Sequence, residues 1–309
     1  MARPAMDIKT ARDVVKRRFA PTWRYGFNLE PTLHHRRNPP TLGPVSARVL
    51  ADLERDGLAL TTLEEITGDP TLLGRLQTLA RELEDKNEEL LVERRRLLAE
   101  GGVAGWKEFV VHLLGRQPVI DPRGLMATVG LHPQIKGVAD GYFGLRTSVA
   151  DLNIWRNLPT SHEPKLSQLW HRDLMQDHHL VKVFIHLEDV GPGGGPFSYA
   201  IGTHSKGERR VQAPGSDDGV TIRSTDEAMA TVVPRERWRQ CTGPAGTVLF
   251  ADTMGYHRGG WARTEGRLVF QALYTSRASA GDYQLRLVDP SEHARWAKDF
   301  ILADPHRDR

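Results

Sequence analysis

Residues 246–275 read GTVLFADTMGYHRGGWARTEGRLVFQALYT and decide how the second half of this chain folds. Two runs within this stretch, 246–252 and 267–275, are rich in β-branched and aromatic residues and predict strands joined by a glycine-rich turn. Three similar runs come before it: TSVADLNIW at 147–155, LVKVFIHL at 180–187 and PFSYAI at 196–201. Short strands separated by glycine and proline turns are typical of a β-sandwich or a β-barrel.

The first half of the chain has a helical pattern instead. Residues 46–57, SARVLADLERDG, predict a helix that ends at Gly57. From 71 to 100, leucines recur at three- to four-residue steps with charged residues between them, which predicts one long amphipathic helix. Its leucine face could form a dimeric coiled coil, but the heptads drift around Asn87, so packing on its own domain is favoured. A further short helix is expected over 105–115.

Helices followed by strands indicate an α+β fold with a mainly β core. We expect residues 1–45, which are rich in Arg and Pro, to form an irregular N-terminal arm. Residues 46–309 then form a single domain. Within it we expect a helical buttress over about 46–146, a strand-rich core over about 147–280 and a C-terminal segment over 281–309.

Composition limits the class of protein. The 309 residues are 39% hydrophobic and 26% charged, which is enough for a large core without disulfides. The single cysteine, Cys241, excludes an internal disulfide and is typical of a reducing compartment. We find no signal peptide and no apolar run long enough to span a membrane, so we expect a cytoplasmic protein without a membrane partner. The net charge of +3 comes without a clustered basic motif, which argues against a nucleic-acid partner.

A candidate metal site begins in the sequence WHRD at 170–173. His171 and Asp173 are two residues apart, so on an extended strand both side chains leave the same face. A third ligand must come from elsewhere, and His257, between a predicted strand and a glycine-rich turn, is the best candidate. Two His and one carboxylate are the ligand set expected of non-haem iron(II) oxygenases. Three coordination positions then remain for a keto acid and dioxygen.

An H-x-D pair alone is a weak signal, because the chain contains 13 His and a surface His beside a solvated Asp would look the same. A suitably spaced Arg strengthens the interpretation. Arg267 follows His257 by ten residues and opens a predicted strand, where its guanidinium can bind a carboxylate in bidentate fashion. Arg263 is the competing candidate. We prefer Arg267, because a partly buried Arg on a strand needs an anion more than an Arg in a loop does.

The region from about 147 to 275 resembles the phytanoyl-CoA dioxygenase (PhyH-like) family of iron(II)/2-oxoglutarate-dependent oxygenases. The motifs that carry the resemblance occur in the family's order. They are WHRD at 170–173, LVKVFIHLEDV at 180–190, GGGPFSYAIGTHSKG at 193–207 and GTVLFADTMGYHRGGWARTEGR at 246–267. The combination is specific, although each motif alone is not. The resemblance implies a double-stranded β-helix, which is a cupin-like jelly roll, supported by the N-terminal helices.

The same resemblance implies the roles of particular residues. His171, Asp173 and His257 become the iron(II) ligands, and Arg267 becomes the residue that anchors the co-substrate 2-oxoglutarate. Lys182, on the strand after the H-x-D pair, is expected to assist in binding it, and O2 is the second co-substrate.

One position departs from the pattern of the family. The family often has Ser or Thr two residues after the distal His, where it contacts 2-oxoglutarate. This chain has Gly259 at that position, so the sequence does not account for the second contact.

The expected reaction is hydroxylation of an unactivated C–H bond in a small molecule, with release of succinate and CO2. Related halogenases replace the ligand carboxylate with a small residue, so Asp173 argues against halogenation. Two alternatives stay open. One is a catalytically inactive cupin-like metal-binding or scaffold protein, and the other is a metal-dependent isomerase or hydrolase on the same fold. The Arg content hints at an anionic substrate, whereas substrate identity, desaturation and oligomeric state are not fixed by the sequence.

Several other polar residues receive structural interpretations. We expect His204 to be structural and His178 and His179 to lie in a solvated loop. The glycines at 193–195 predict a turn between strands rather than a phosphate loop, because no Lys-Ser/Thr follows them. Arg156 is equally compatible with an anionic substrate and with a structural ion pair.

Overall fold

Two antiparallel sheets form most of the strand-rich part of the chain, and two two-stranded sheets lie outside them. The computed structural model describes residues 19–100, 108–173, 177–217 and 221–303. The strands in chain order are β1 Leu58–Thr62, β2 Val110–His112, β3 Val119–Ile120, β4 Ser148–Asn157, β5 Val181–His186, β6 Ser198–Ala200, β7 Ser216–Asp217, β8 Ile222–Arg223, β9 Trp238–Gln240, β10 Thr247–Asp252, β11 His257–Arg258, β12 Arg267–Thr275 and β13 Arg286–Leu287. The large sheet has the order β1-β10-β5-β12-β4-β2, and the small sheet has the order β11-β6-β9. All five runs that the sequence predicts as strands are strands.

Helices precede most of these strands. They are α1 Leu29–Arg37, α2 Pro44–Asp56, α3 Leu63–Thr67, α4 Leu72–Lys86, α5 Glu88–Ala99, α6 Leu125–Gly130, α7 Pro133–Phe143, α8 Asp226–Ala230 and α9 His293–Trp296. A π-helical turn spans Thr22–Phe27, and 3-10 turns span Leu166–Gln168, Arg235–Arg237 and Pro290–Glu292. In the described part of the chain, no helix combines the length and the apolar character that a membrane span requires.

The large sheet has two different apolar faces, because side chains alternate along each strand. One face carries Val183 and Phe270, which belong to a core shared with the helices. The other face carries Phe184 and Leu249, which pack with Tyr199 of the small sheet. The large sheet therefore lies between a helical layer and the small sheet. Polar groups on the face of the large sheet that carries Phe184 and Leu249 point into the space between the two sheets.

The helix expected over 71–100 is divided in two. α4 ends at Lys86 and α5 begins at Glu88. The side chain of Asn87 donates to the carbonyl oxygens of Leu83 (2.7 Å) and Leu113 (3.0 Å). An Asn side chain that binds the backbone in this way competes with helical hydrogen bonding, so one continuous helix was a wrong expectation. The apolar faces of α4 and α5 pack into the core of this chain, as expected.

The irregular arm expected over 1–45 is also corrected, although residues 1–18 lie outside the described ranges. Thr22–Phe27 and α1 are helical. The prolines are compatible with helices because Pro31 lies in the first turn of α1 and Pro44 opens α2, where proline is tolerated. Trp23 is fully buried and its Nε1 donates to Asp177 Oδ1 at 2.6 Å, which ties this segment to the rest of the protein.

The short helix expected over 105–115 can be compared only over 108–115, because 101–107 lie outside the described residues. Over 108–115 the expectation is wrong. Residues Val110–His112 form β2, which pairs antiparallel with β4. Pairing with a strand distant in sequence overrides the local pattern. The division of the chain into arm, buttress, core and C-terminal segment remains a prediction.

Two glycines at helix ends allow a matched test of packing. Gly57 ends α2 at φ +77°, and a Cβ there would lie 2.5 Å from Tyr199 Oη and 2.6 Å from His204 Nδ1. Gly68 ends α3 at φ +70°, with nothing within 4 Å of a Cβ. We expect Gly68→Ala to cost about 1 kcal/mol of the free energy of unfolding. Gly57→Ala should cost about 1–3 kcal/mol more, because it adds a clash. Urea denaturation measures both, and equal losses would contradict the packing described.

Candidate metal centre

Two histidines distant in sequence are brought together by the backbone. The N–H of His171 donates to the carbonyl oxygen of His257 at 2.9 Å, and the N–H of His257 donates to that of His171, also at 2.9 Å. This is an antiparallel bridge between the chain after β4 and strand β11. The two imidazole ring centroids lie 4.4 Å apart. The pairing therefore places two candidate metal ligands side by side.

Each imidazole is oriented by its own chain. His171 Nδ1 lies 2.8 Å from the carbonyl oxygen of Leu169, and His257 Nδ1 lies 3.0 Å from that of Gly255. A carbonyl oxygen only accepts, so Nδ1 carries the proton in each ring and Nε2 presents its lone pair. Burial, with His257 next to it, lowers the pKa of His171 well below its ordinary value, which keeps that ring neutral. Neutral imidazoles of this tautomer are metal ligands.

Asp173 completes the group. One ligand atom from each of His171, Asp173 and His257 lies within 4.8 Å of the others, and Asp173 Oδ1 is 3.8 Å from His257 Nε2. The second carboxylate oxygen, Oδ2, forms an ion pair with Lys182 Nζ at 2.6 Å. Burial alone would raise the pKa of Asp173, but Lys182 and the two histidines hold it well below its usual range. The carboxylate is therefore ionised and has one oxygen directed toward the imidazoles.

The three side chains open onto a cavity between the two sheets. Its other polar lining consists of His112, Asn157, Ser167, Lys182, His186 and Arg267. Its apolar lining consists of Phe109, Val110, Trp155, Phe184, Phe197, Leu249 and Val269, together with Gly259. Apart from Asp173, the described lining contains no carboxylate.

Arg267 lies in this cavity at the start of β12, opposite Asn157 of β4. Its side chain is buried, and Nη1 donates to the carbonyl oxygen of Gly195. Burial lowers the pKa of Arg267 to about 10, so the guanidinium stays positively charged at neutral pH. Among the described residues, no carboxylate forms an ion pair with it. A buried cation in this position favours an anionic ligand.

Three buried nitrogen atoms at this end of the cavity lack a hydrogen-bond partner among the described residues. They are Arg267 Nε, Asn157 Nδ2 and His186 Nδ1. His186 and Lys182 are four residues apart on β5, so they share a face and lie about 13 Å apart along the strand. Burial and the Arg267 guanidinium lower the pKa of His186 to about 4. Buried polar atoms without partners are costly, which favours a polar ligand here.

The remaining sequence candidates lie outside the group of three. Arg263 stacks on Trp261, 5.7 Å from its ring centroid, and is absent from the described cavity lining. His204 Nε2 lies 3.0 Å from the carbonyl oxygen of Glu54, which agrees with a structural role.

Arg156 and the glycine turn also have structural roles. Arg156 forms ion pairs with Glu84 (2.7 Å) and Glu188 (2.6 Å). Of the two interpretations open for Arg156, the structural ion pair is therefore the one observed. The turn expected at 193–195 lies between β5 and β6, and Gly195 adopts φ +66° within it.

The solvated loop expected for His178 and His179 is wrong for His179. That residue is buried, and its Nδ1 lies 2.8 Å from Ser205 Oγ. The ring of Trp23 packs against both histidines, with centroids 4.9 and 5.7 Å away. Trp23 belongs to the N-terminal helical turn. The sequence around His179 does not reveal this contact with a distant segment.

Asn157 and His186 were missed in the sequence. Their signal was the alternation along two strands: Asn157 follows Trp155 by two residues, and His186 follows Lys182 by four. Alternation gives a shared face, but only the pairing of β12 with β4 and β5 shows that both residues lie near Arg267.

No protein-family model and no curated protein sequence matches this chain. Solved structures match over most of it. The carbocyclase SnoK from nogalamycin biosynthesis, described as non-haem and α-ketoglutarate-dependent, is 20% identical over 85% of this chain and 95% of its own, with a TM-score of 0.49. EctD from S. alaskensis, with 2-oxoglutarate and 5-hydroxyectoine, is 19% identical over 77% and 78%, also with 0.49. The epimerase SnoN, in complex with Fe3+, α-ketoglutarate and nogalamycin RO, is 19% identical over 75% and 84%, with 0.46. These likenesses are too weak to assign a reaction to this chain.

Removal of either histidine tests the metal centre. We expect His171→Ala and His257→Ala each to weaken Co(II) binding by at least about 100-fold, because each removes one of three protein ligands. Calorimetry on metal-free protein measures the affinity. His293→Ala, outside the group, is the control and should bind like the wild type. Unchanged affinity in both ligand variants would show that a metal binds elsewhere.

Proposed function

We propose that this protein is an iron(II)- and 2-oxoglutarate-dependent dioxygenase with a jelly-roll fold. One observation carries the proposal. A group of two His and one carboxylate lies at one end of a cavity, and a buried Arg that has no carboxylate partner among the described residues lies at the other. The motifs quoted from 170–267 support membership of the phytanoyl-CoA dioxygenase family.

The donor set fits iron(II). His171 and His257 offer imidazole nitrogens, and Asp173 offers one carboxylate oxygen while Lys182 binds the other. Two imidazoles and one carboxylate are the ligands of non-haem iron oxygenases. Lys182 would act on the ligand Asp173 rather than directly on the co-substrate. It fixes the carboxylate so that Oδ1 faces the imidazoles.

The opposite end fits the far carboxylate of 2-oxoglutarate. Arg267 would bind it through charge-assisted hydrogen bonds, and Asn157 Nδ2 is a second buried donor without a partner among the described residues. His186 lies beside them as a neutral ring. A dicarboxylate would thereby give the buried guanidinium a counter-ion and give Arg267 Nε and Asn157 Nδ2 an acceptor. This is the fit expected of an elongated dicarboxylic acid that also reaches the metal ligands.

Iron and 2-oxoglutarate, when bound, supply an oxidation by O2 that yields succinate, CO2 and an oxidised substrate. The chain supplies position and a dry environment. Phe197 stacks on His257 with ring centroids 5.5 Å apart and holds that ligand in place. Phe184, Leu249 and Val269 form part of the apolar wall of the cavity. They would exclude water from the space where the substrate is oxidised.

Hydroxylation of a small molecule is the reaction we propose, because Asp173 retains the carboxylate that halogenases lack. An anionic substrate is supported by a groove next to the cavity. This groove shares Val110, His112 and Trp155 with the cavity and also contains Arg94, Arg116 and Glu108. Arg94 forms an ion pair with Glu108 at 3.5 Å, so Arg116 leaves the described lining with an excess positive charge.

The decisive experiment is an anaerobic titration. Iron(II) and then 2-oxoglutarate are added to metal-free protein, and the weak visible charge-transfer band of a chelated keto acid is recorded. We expect the band in the wild type and its loss in His171→Ala. If iron binds without forming the band, the proposal fails and the isomerase or scaffold alternatives move ahead.

Arg267 gives a separate test of the co-substrate end. We expect Arg267→Met to raise the dissociation constant of 2-oxoglutarate by about 100-fold, since it removes charge-assisted hydrogen bonds. Iron affinity should stay unchanged, because Arg267 is not a metal ligand. The same titration measures both affinities. Arg263→Met is the matched control and should behave as the wild type, so the opposite ranking would assign the anchor to Arg263.

A further inference from the structure

Ser167 borders the space beside Arg267, although the sequence pattern does not mark it as a functional residue. The N–H of Gly259 donates to the carbonyl oxygen of Ser167 at 2.7 Å. A Cβ at Gly259 would lie 3.3 Å from that oxygen, 3.5 Å from Arg267 Nη2 and 3.9 Å from Ser167 Oγ. The Ser167 hydroxyl and the guanidinium therefore both lie within 4 Å of the point where a side chain at 259 would begin.

Ser167 carries the only side-chain hydroxyl among the described residues that line the cavity. The turn that places it there is unusual. Leu166 has φ +50°, and no other described residue except glycine has a positive φ. A left-handed leucine is strained, and such strain persists where surrounding contacts enforce it.

Gln168 supplies contacts of that kind. Its side chain is buried, and its Oε1 accepts a hydrogen bond from the backbone N–H of Lys165 at 2.9 Å. The N–H of Gln168 donates to the Lys165 carbonyl oxygen, also at 2.9 Å. These two hydrogen bonds join Lys165 to Gln168 and so close the turn that contains Leu166 and Ser167. His171 follows four residues later, so Ser167 is part of the segment that carries two of the three candidate ligands.

We propose that the Ser167 hydroxyl donates a hydrogen bond to the carboxylate that Arg267 binds, in place of the side chain absent at Gly259. This inference rests on the proposed function for the identity of the ligand as 2-oxoglutarate. A hydroxyl beside a guanidinium gives a carboxylate two kinds of donor, and an O–H···O⁻ hydrogen bond is among the stronger ones in proteins. Ser167 would then contribute to the selection of a dicarboxylate over a monocarboxylic keto acid.

The test uses two probes and three variants. Glutarate, which has no keto group to chelate a metal, is titrated calorimetrically into metal-free protein. 2-Oxoglutarate is titrated anaerobically into iron-loaded protein by its visible band. We expect Ser167→Ala to raise both dissociation constants about tenfold, the effect of one hydrogen bond to a charged group. Ser167→Thr keeps the hydroxyl and should stay within about threefold of the wild type. Ser161→Ala, an exposed position in the same loop, is the matched control.

The outcomes separate the two claims. A loss in Ser167→Ala that Ser167→Thr restores supports the inference. If the wild type gives no visible band but glutarate binding still depends on Ser167, the inference stands while the proposed function fails. Binding of both probes to Ser167→Ala with wild-type affinity overturns the inference. A loss shared equally by Ser161→Ala also overturns it, because the effect then comes from the loop and not from the hydroxyl.

Discussion

The reciprocal backbone pairing of His171 with His257 is the constraint on which the candidate site depends. It joins the chain after β4 to strand β11, which itself pairs with β6 of the small sheet. Since each ring is also held by a carbonyl oxygen two residues before it, the pairing fixes both the position and the orientation of the imidazoles. Asp173 follows on the same face, and its N–H donates to the Thr253 carbonyl oxygen at 3.0 Å. The ligand geometry is therefore a product of strand pairing.

The sequence predicted what local pattern controls. Alternation in runs such as RLVFQALYT identified the strands, and H-x-D spacing identified His171 and Asp173 because a strand repeats every two residues. What depends on contacts between distant segments was not predictable. β2 is a strand because it pairs with β4, and His179 is buried because Trp23 packs against it. Asn157 and His186 became candidates only once the register of the large sheet was known.

The departure at Gly259 shows the same limit for a functional group. The position two residues after the distal His257 is Gly259, which has no side chain. In the folded chain, the place beside Arg267 is reached from another direction, by Ser167, through a turn that forces Leu166 into a left-handed conformation. A chemical group can thus be supplied from a different part of the chain when the three-dimensional position is kept. Sequence spacing alone cannot reveal such an exchange.

The charges of the cavity favour the proposed oxygenase over the two alternatives that the sequence leaves open. At one end Asp173 and Lys182 neutralise each other. At the other, Arg267 is buried and positively charged, with no carboxylate partner among the described residues and with the pKa lowered to about 10 by burial. Burying an unpaired cation costs several kcal/mol by general estimates. A metal-dependent isomerase or a scaffold protein would gain nothing from that cost. A dicarboxylate that reaches from the metal ligands to Arg267 would offset it, which is why the two ends of the cavity together favour a 2-oxoglutarate-dependent enzyme.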